Sequence, residues 1–356
     1  MNAHAMSGQT AQDRVKDPFS VEARFYVKLS KQRVRCALCP RACIVNDGER
    51  GACGVRENRG GVYYTLLHGR ARAIHVDPIE KKPLFHYLPG SYALSIGGVG
   101  CNLQCKFCQN WDLSRSAPEE MPADFAPPSR IVEQAKRFGC LTIAYTYNEP
   151  ATFAEYLMDT ADAGHESGIR SVAVSNGYLQ QDALGEVYGK MDAVKIDLKA
   201  FTETFYRRIA KGRLKPVLES LVTLRAMNKW TEIVYLVIPT LNDGDEELRC
   251  AAAWIKQHLG ADTPLHFTRF HPDYELKYLP VTPLATLERA KATAEAEGLH
   301  YAYIGNVPGH AAQNTYCPQC RNLLVERAGF ATVKARIDRD GACPQCGHSI
   351  PGIWSA

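Results

Sequence analysis

Short apolar runs alternate with longer amphipathic stretches through the middle of the chain, from about residue 92 to 306. The runs are YALSIGG, LTIAYTY, SVAVSN, AVKIDLKA, EIVYLVIP, LHFTRF and HYAYIGN. They are rich in β-branched and aromatic residues, and several are apolar throughout, as in strands buried on both faces. The stretches between them carry helical spacing. In DEELRCAAAWIKQHLG, Leu248, Ala252, Ile255 and Leu259 recur about a turn apart, and Gly260 stands where the helix should stop. In PATFAEYLMDTADAG, Phe153, Leu157 and Ala161 do the same behind Pro150. Repeated strand–helix units predict an α/β fold with a parallel sheet. This number of units suits a full or partial (β/α) barrel better than an open doubly wound sheet, although the pattern alone leaves both standing. In a barrel, chemistry gathers on the loops that follow the strands.

The flanks read differently. Residues 1–30 form a loose N-terminus. Residues 31–91 are a cysteine-rich domain ending in a hairpin over VYYTLLHGRARAIHV, with its turn near Gly69. Residues 92–306 are the barrel, and 307–356 a second cysteine-rich domain. A chain of 356 residues is long enough for one large domain with appendages, or for two domains. The net charge of +4 is slight for this length and argues against wholesale nucleic-acid binding. The first twenty residues lack an apolar core of signal-peptide length, and no window has the ~18 apolar residues of a membrane helix. The expectation is a cytoplasmic protein with no membrane partner.

There are thirteen cysteines, and that changes the picture. Disulfide frameworks belong to small secreted chains, so clustered thiols in this one read first as metal ligands. Cys140 and Cys250 stand apart in apolar surroundings and read as small core residues. In GGVGCNLQCKFCQNW, Cys101, Cys105 and Cys108 follow directly on the first barrel strand. Three thiolates do not complete a tetrahedral zinc shell; a zinc site finished by a distant histidine is the competing reading. They can hold three irons of a [4Fe-4S] cluster and leave the fourth open to a ligand. At the C-terminus, Cys317-x₂-Cys320 and Cys343-x₂-Cys346 pair as a zinc ribbon, with iron as the alternative in a four-sulfur shell. The mixed charge of VERAGFATVKARIDRD between them favours a folding staple or docking surface over nucleic-acid contact. Cys36, Cys39, Cys43 and Cys53 form a compact triplet with a remote fourth. That spacing favours a second [4Fe-4S] cluster, with zinc or metal-free thiols as the alternatives.

CNLQCKFC resembles the C-x₃-C-x-φ-C signature of the radical S-adenosylmethionine (SAM) superfamily, with Phe107 before the last cysteine. The resemblance implies that SAM chelates the open iron and is cleaved by an electron from the cluster to give a 5′-deoxyadenosyl radical. TYNEP stands where that superfamily has a Gly-Gly-Glu-type loop, which implies Asn148 and Glu149 at the SAM amino group. Ser175 and Asn176 close the third strand at the same mouth. In KIDLK, Asp197 and Lys199 are two apart and share one side of a strand. A similar Asp-x-Lys in glycyl-radical activating enzymes implies Lys199 at the SAM carboxylate; a solvated strand-end lysine is the competing reading. His266, Arg269 and His271 of HFTRFH are pocket candidates or satisfied strand-end residues alike. Glu80, Lys81, Lys82 and His86 of DPIEKKPLFHYLPG either face the active-site mouth or sit on a solvated loop.

From about Cys36 to Gly352, CALCPRAC, DPIEKKPLFHYLPG, TYNEP and GNVPGHAAQNTYCPQC…CPQCGHSIPG resemble the AmmeMemoRadiSam-system radical SAM enzymes. Those are similar to pyruvate formate-lyase activating enzymes. The resemblance implies an electron donor of flavodoxin or ferredoxin type, and companion proteins of Memo type and AMME-chromosomal-region type. It names no substrate. Three functions follow as expectations: radical chemistry on a small molecule, installation of a glycyl radical on a partner protein, or a non-catalytic zinc-ribbon binding module. The intact cysteine triplet argues against the last.

Overall fold

The computed structural model describes residues 17–355. The chain opens with six short strands: β1 (Val21–Glu22), β2 (Tyr26–Lys28), β3 (Val34–Cys36), β4 (Ile44–Val45), β5 (Arg56–Arg59) and β6 (Val62–Thr65). They make two small antiparallel sheets, ordered β1-β6-β5 and β2-β3-β4. Residues 1–16 of the expected loose N-terminus lie outside the described residues. Residues 21–22 and 26–28, expected in the same segment, are strands, because β6 and β3 supply hydrogen-bonding edges to them.

The hairpin expected across Gly69 does not form. β6 instead turns back onto β5 through Gly60 and Gly61, with Arg59 opposite Val62. Both glycines have positive φ, as a two-residue hairpin turn of matching twist requires. The second expected arm, β7 (Ala73–Pro78), pairs antiparallel with β8 (Tyr92–Gly97).

From β8 the predicted alternation holds. β9 (Thr142–Tyr145), β10 (Arg170–Ser175), β11 (Ala193–Asp197), β12 (Trp230–Val237), β13 (Leu265–Arg269) and β14 (Ala302–Gly305) continue the sheet. Each is parallel to the strand before it. Their order is strictly sequential, and β7 and β14 remain as free edges, so the sheet is a partial barrel. Helices Ala154–Glu166, Gln181–Gly189, Leu214–Ala226, Asp245–Leu259 and Leu284–Ala296 return the chain between strands. Leu248, Ala252, Ile255 and Leu259 are buried as their spacing predicts, and so is Cys140. Cys250 is not: it sits beside that buried stripe, partly exposed, with Sγ 3.3 Å from Glu246 Oε1. No helix among the described residues is long and apolar enough to cross a membrane.

The C-terminal domain folds as β15 (Thr315–Tyr316), β16 (Leu323–Ala328) and β17 (Ala331–Ala335). It spans the opening between the two free edges of the barrel. On one side, Tyr303 of β14 pairs its hydroxyl with Thr315 Oγ1 at 3.0 Å. On the other, beyond β7, Arg327 donates to the Phe85 carbonyl at 2.7 Å and Thr332 bonds to Glu80. Phe85, Tyr301 and Tyr303 pack with Leu324, Val325 and Ile350. Through these contacts the domain ties β14 to the segment that follows β7.

Candidate functional site

The Cys101 loop leaves β8 through Gly98, Val99 and Gly100, and its path is set by backbone contact. Gly100 has φ +74°, and a Cβ there would stand 2.5 Å from the Cys53 carbonyl oxygen. The triplet loop therefore rests directly on the N-terminal cysteine segment. Asn148 holds the same loop. Its Oδ1 accepts from Gly98 N–H at 3.0 Å, and its Nδ2 donates to the carbonyls of Val99 and Gly100 at 3.0 and 2.9 Å.

Cys101, Cys105 and Cys108 line one cavity of 430 Å³, within the ~300–1,000 Å³ range of small-molecule sites. Asn148, Glu149, Ser175, Asn176, Asp197 and Lys199 line it too, so the barrel brings these sequence candidates together. Glu149 is fully committed: it accepts from Asn176 N–H at 2.8 Å, Ser175 Oγ at 2.9 Å and Ala151 N–H at 3.1 Å. Burial still raises its pKa, against those three donors. Asn176 Nδ2 donates to Asn102 Oδ1 at 2.9 Å and lies 3.9 Å from Cys101 Sγ.

On β11 the period of two aims Lys195 and Asp197 inward, and Lys199 follows just past the strand end. Asp197 accepts from Lys195 and, at 2.8 Å, from Lys199. Burial works against the Asp197 charge, but the two lysines outweigh it and hold the carboxyl at about 2. Burial likewise opposes the Lys199 charge, and Asp197 with the Cys105 thiol raises its pKa nonetheless. Burial pushes the Cys105 thiol up to about 11 while Lys199 pulls the other way. Iron binding would release those protons, since thiolates are the ligands.

Three candidates on β13 and beyond do not reach the cavity. His266 points inward but deeper, where its Nε2 meets Glu232 at 2.7 Å and its ring stacks on Tyr303. Arg269 points to the other face and donates from Nε to the Thr282 carbonyl at 2.9 Å. His271 lies past the strand end and is exposed. The segment DPIEKKPLFHYLPG divides. Lys81 and Lys82 line the cavity, whereas Glu80 and His86 are buried at the joint with the C-terminal domain. Sequence reasoning missed Lys195, although KIDLK puts it in phase with Asp197. It also missed Asp77 and Tyr147, which meet at 2.8 Å across 70 residues. Phe330, which lines the cavity from the C-terminal domain, carried no sequence signal.

The other two cysteine groups differ in build. The sulfurs of Cys317, Cys320, Cys343 and Cys346 all lie within 4.8 Å of one another, the spacing of ligands around one ion. Among the described residues no other cysteine group is gathered this tightly. Beside Cys36, Cys39, Cys43 and Cys53 stands Arg56, fully buried, with Nη2 donating to Glu155 Oε2 at 2.5 Å. Among the described residues its Nε and Nη1 have no partner, and neither has the buried Tyr63 hydroxyl. The Arg56 charge acts on both Cys36 and Cys53, against the burial that raises their pKa values. Unspent buried donors facing thiols fit an anionic metal–thiolate centre, which would accept from them. At the triplet the buried Arg115 Nε is unspent in the same way.

A model of the radical SAM superfamily matches residues 95–249. The chain is 43% identical over 330 residues to the uncharacterized protein MJ0808 of Methanocaldococcus jannaschii, covering 92% of this chain and 98% of that one. It is 24% identical to MJ0674 of the same organism, over 69% of this chain and 68% of that one. A solved domain of the pyruvate-formate lyase-activating enzyme from Bacteroides vulgatus aligns at TM-score 0.41 and 16% identity, covering 46% of this chain and 98% of that one. SuiB of Streptococcus suis, bound to S-adenosylmethionine, aligns at TM-score 0.48 and 14% identity over 67% of this chain and 56% of its own. The chain carries a radical SAM domain over residues 95–249. Over nearly its whole length it shares a family with the archaeal protein MJ0808.

Proposed function

We propose that the protein binds a [4Fe-4S] cluster on Cys101, Cys105 and Cys108, binds SAM at its open iron, and abstracts hydrogen from a small-molecule substrate. The observation that carries this is the meeting of the three thiols with Lys199, Asp197 and Glu149 in one cavity. When bound, cluster and cofactor supply the one-electron cleavage of SAM that yields the 5′-deoxyadenosyl radical.

The chain's own residues position, charge and enclose. Asn148 fixes the triplet loop through the Val99 and Gly100 carbonyls. Lys199 offers its remaining ammonium donors to the SAM carboxylate, and Asp197 keeps that ammonium in place. Glu149 adds negative charge where the SAM ammonium would lie, and ties the second strand loop to the third through Ser175 and Asn176. The ribbon cysteines hold zinc and clamp the two barrel edges. The N-terminal quartet holds a second [4Fe-4S] cluster. A flavodoxin- or ferredoxin-type donor supplies electrons, and the protein works in the AmmeMemoRadiSam system with its Memo-type and AMME-chromosomal-region-type companions.

Anaerobically reconstituted protein given SAM and dithionite should release 5′-deoxyadenosine and methionine. Cys105→Ala should lose both the cluster spectrum and the cleavage. Undiminished cleavage in that variant removes the central claim. A glycyl-radical signal appearing on a companion protein would replace the small-molecule substrate with a protein one.

A further inference from the structure

The cavity holds more positive charge than the proposed cofactors use. Behind the part of the wall formed by Lys81 and Lys82, Asp77 of β7 accepts from Lys81 Nζ at 2.8 Å, Lys82 Nζ at 2.7 Å and the Tyr147 hydroxyl at 2.8 Å. Two ammonium groups on one carboxylate leave a net charge of +1. Each ammonium has three donors and commits one to Asp77, so donors remain on both. The Lys82 side chain is 3% exposed, so bulk water does little for its charge. The charged groups acting on it are Asp77, Lys81 and Lys195, and the last two are cations.

The other lysine pair differs. Lys195 and Lys199 also share one carboxylate, but that surplus faces the thiols: Cys105 acts on Lys199, and Glu149 on Lys195. The proposed cluster and the SAM carboxylate complete the balance there. Among the described residues no second carboxylate pairs with Lys81 or Lys82. Asp77 neutralises one of the two charges, and the second stands on the cavity wall, where an anionic ligand can meet it.

The same cavity has an aromatic wall from an unexpected source. Phe330 sits at the turn between β16 and β17, 45% exposed, yet lines the cavity. Arg327 and Thr332 on either side of the turn pin that hairpin to Phe85 and Glu80, the segment that carries the two lysines. Ring and ammonium groups are thus held by one short piece of backbone.

We propose that Lys81, Lys82 and Phe330 form the substrate subsite, and that the substrate is an anion, carboxylate or phosphate, with a planar apolar body against Phe330. The inference rests on the radical SAM reading for its chemistry, and the clamped hairpin gives the ribbon a part in choosing the substrate.

The test uses anaerobic holoprotein with SAM and no reductant. Phenyl phosphate is titrated by ³¹P line width, benzoate by ¹H line width, and benzyl alcohol serves as the uncharged control. Saturable binding of at least one anion, without binding of the alcohol, is expected. Lys82→Met should weaken anion binding roughly ten- to a hundredfold, the worth of a charge-assisted contact. Lys81→Ala, at a more exposed position, should weaken it less. Phe330→Ala should weaken phenyl phosphate and leave inorganic phosphate unchanged. Zinc content and cluster absorbance of each variant report that it has folded. No saturable binding of either anion, equal binding of the alcohol, or unchanged affinity in Lys82→Met overturns the subsite. Dithionite is then added to the wild-type sample. Cleavage of SAM without anion binding defeats the subsite alone, whereas anion binding without cleavage defeats the radical SAM reading alone.

Discussion

The ribbon cysteines and the Cys101 triplet use one residue type for two kinds of site. The ribbon gathers four sulfurs within 4.8 Å, with Cys346 exposed and Cys317 buried, on a small sheet of its own. The triplet has three sulfurs that line one cavity together with Glu149 from the loop after β9 and Asp197 and Lys199 at the end of β11. Four thiols can close a metal shell with no open position, and the ribbon that carries them ties β14 to the segment after β7. A missing fourth ligand leaves a place for chemistry, and the fold surrounds that place with Glu149, Asp197 and Lys199. What distinguishes a staple from a reaction centre here is what the neighbouring loops bring, more than the thiols themselves.

The N-terminal quartet tests that distinction most severely, because it has four thiols like the ribbon but unspent buried donors like the triplet. If those donors mark an iron–sulfur centre, fully reconstituted protein should contain about eight irons and one zinc. Cys39→Ala combined with Cys43→Ala should remove about four irons and keep the Cys101 cluster. Four irons and two zincs in the wild type would place the quartet with the ribbon as a second closed shell.

A smaller effect sharpens the other half of the comparison. Lys199→Met should leave the cluster assembled and weaken SAM binding by about one to two decades, the worth of a charge-assisted hydrogen bond of roughly 1.5–3 kcal/mol. Equilibrium dialysis of SAM against the two holoproteins measures it. An unchanged dissociation constant would make Lys199 a partner of Asp197 and nothing more.

Much of this was legible in the chain, for reasons that also explain what was not. The barrel strands are buried on both faces, so they print as unbroken apolar runs such as TIAY, and their order followed. Motifs confined to one loop or one strand, CNLQCKFC and KIDLK, were readable because spacing alone fixes their geometry. β7 was misplaced because an antiparallel edge strand with a partly exposed face looks like a hairpin arm, and Gly69 drew the turn away from Gly60 and Gly61. HFTRFH gave the right strand and the wrong depth: alternation tells side from side but not how far along the strand the cavity reaches. Asp77 with Tyr147, and Phe330 with the lysines, are meetings made only by the tertiary fold.

The joint between barrel and ribbon gives the subtlest prediction. His86 is buried there, with Nδ1 2.8 Å from the Pro351 carbonyl and Nε2 2.6 Å from the Tyr303 hydroxyl. A carbonyl only accepts, so Nδ1 carries the proton and Nε2 accepts from Tyr303. The neutral ring satisfies both bonds, and a second proton would force Nε2 to donate where it now accepts. Burial lowers the His86 pKa to about 4, despite the pull of Glu232 toward the charged form. In the unfolded chain the ring takes its proton near its ordinary value of ~6.5. The unfolded state therefore binds the proton first as pH falls. The contribution to stability is complete above ~6.5 and is lost between there and about 4. By pH 5 the loss is on the order of 2 kcal/mol. The Trp354 ring lies 5.1 Å from His86 and reports on this joint by fluorescence. Its thermal midpoint should fall as pH drops from 7.5 to 5, and His86→Gln should flatten that slope by the share of one proton. An identical slope in the variant would assign the acid sensitivity to other groups, His266 with its own burial-lowered pKa first among them.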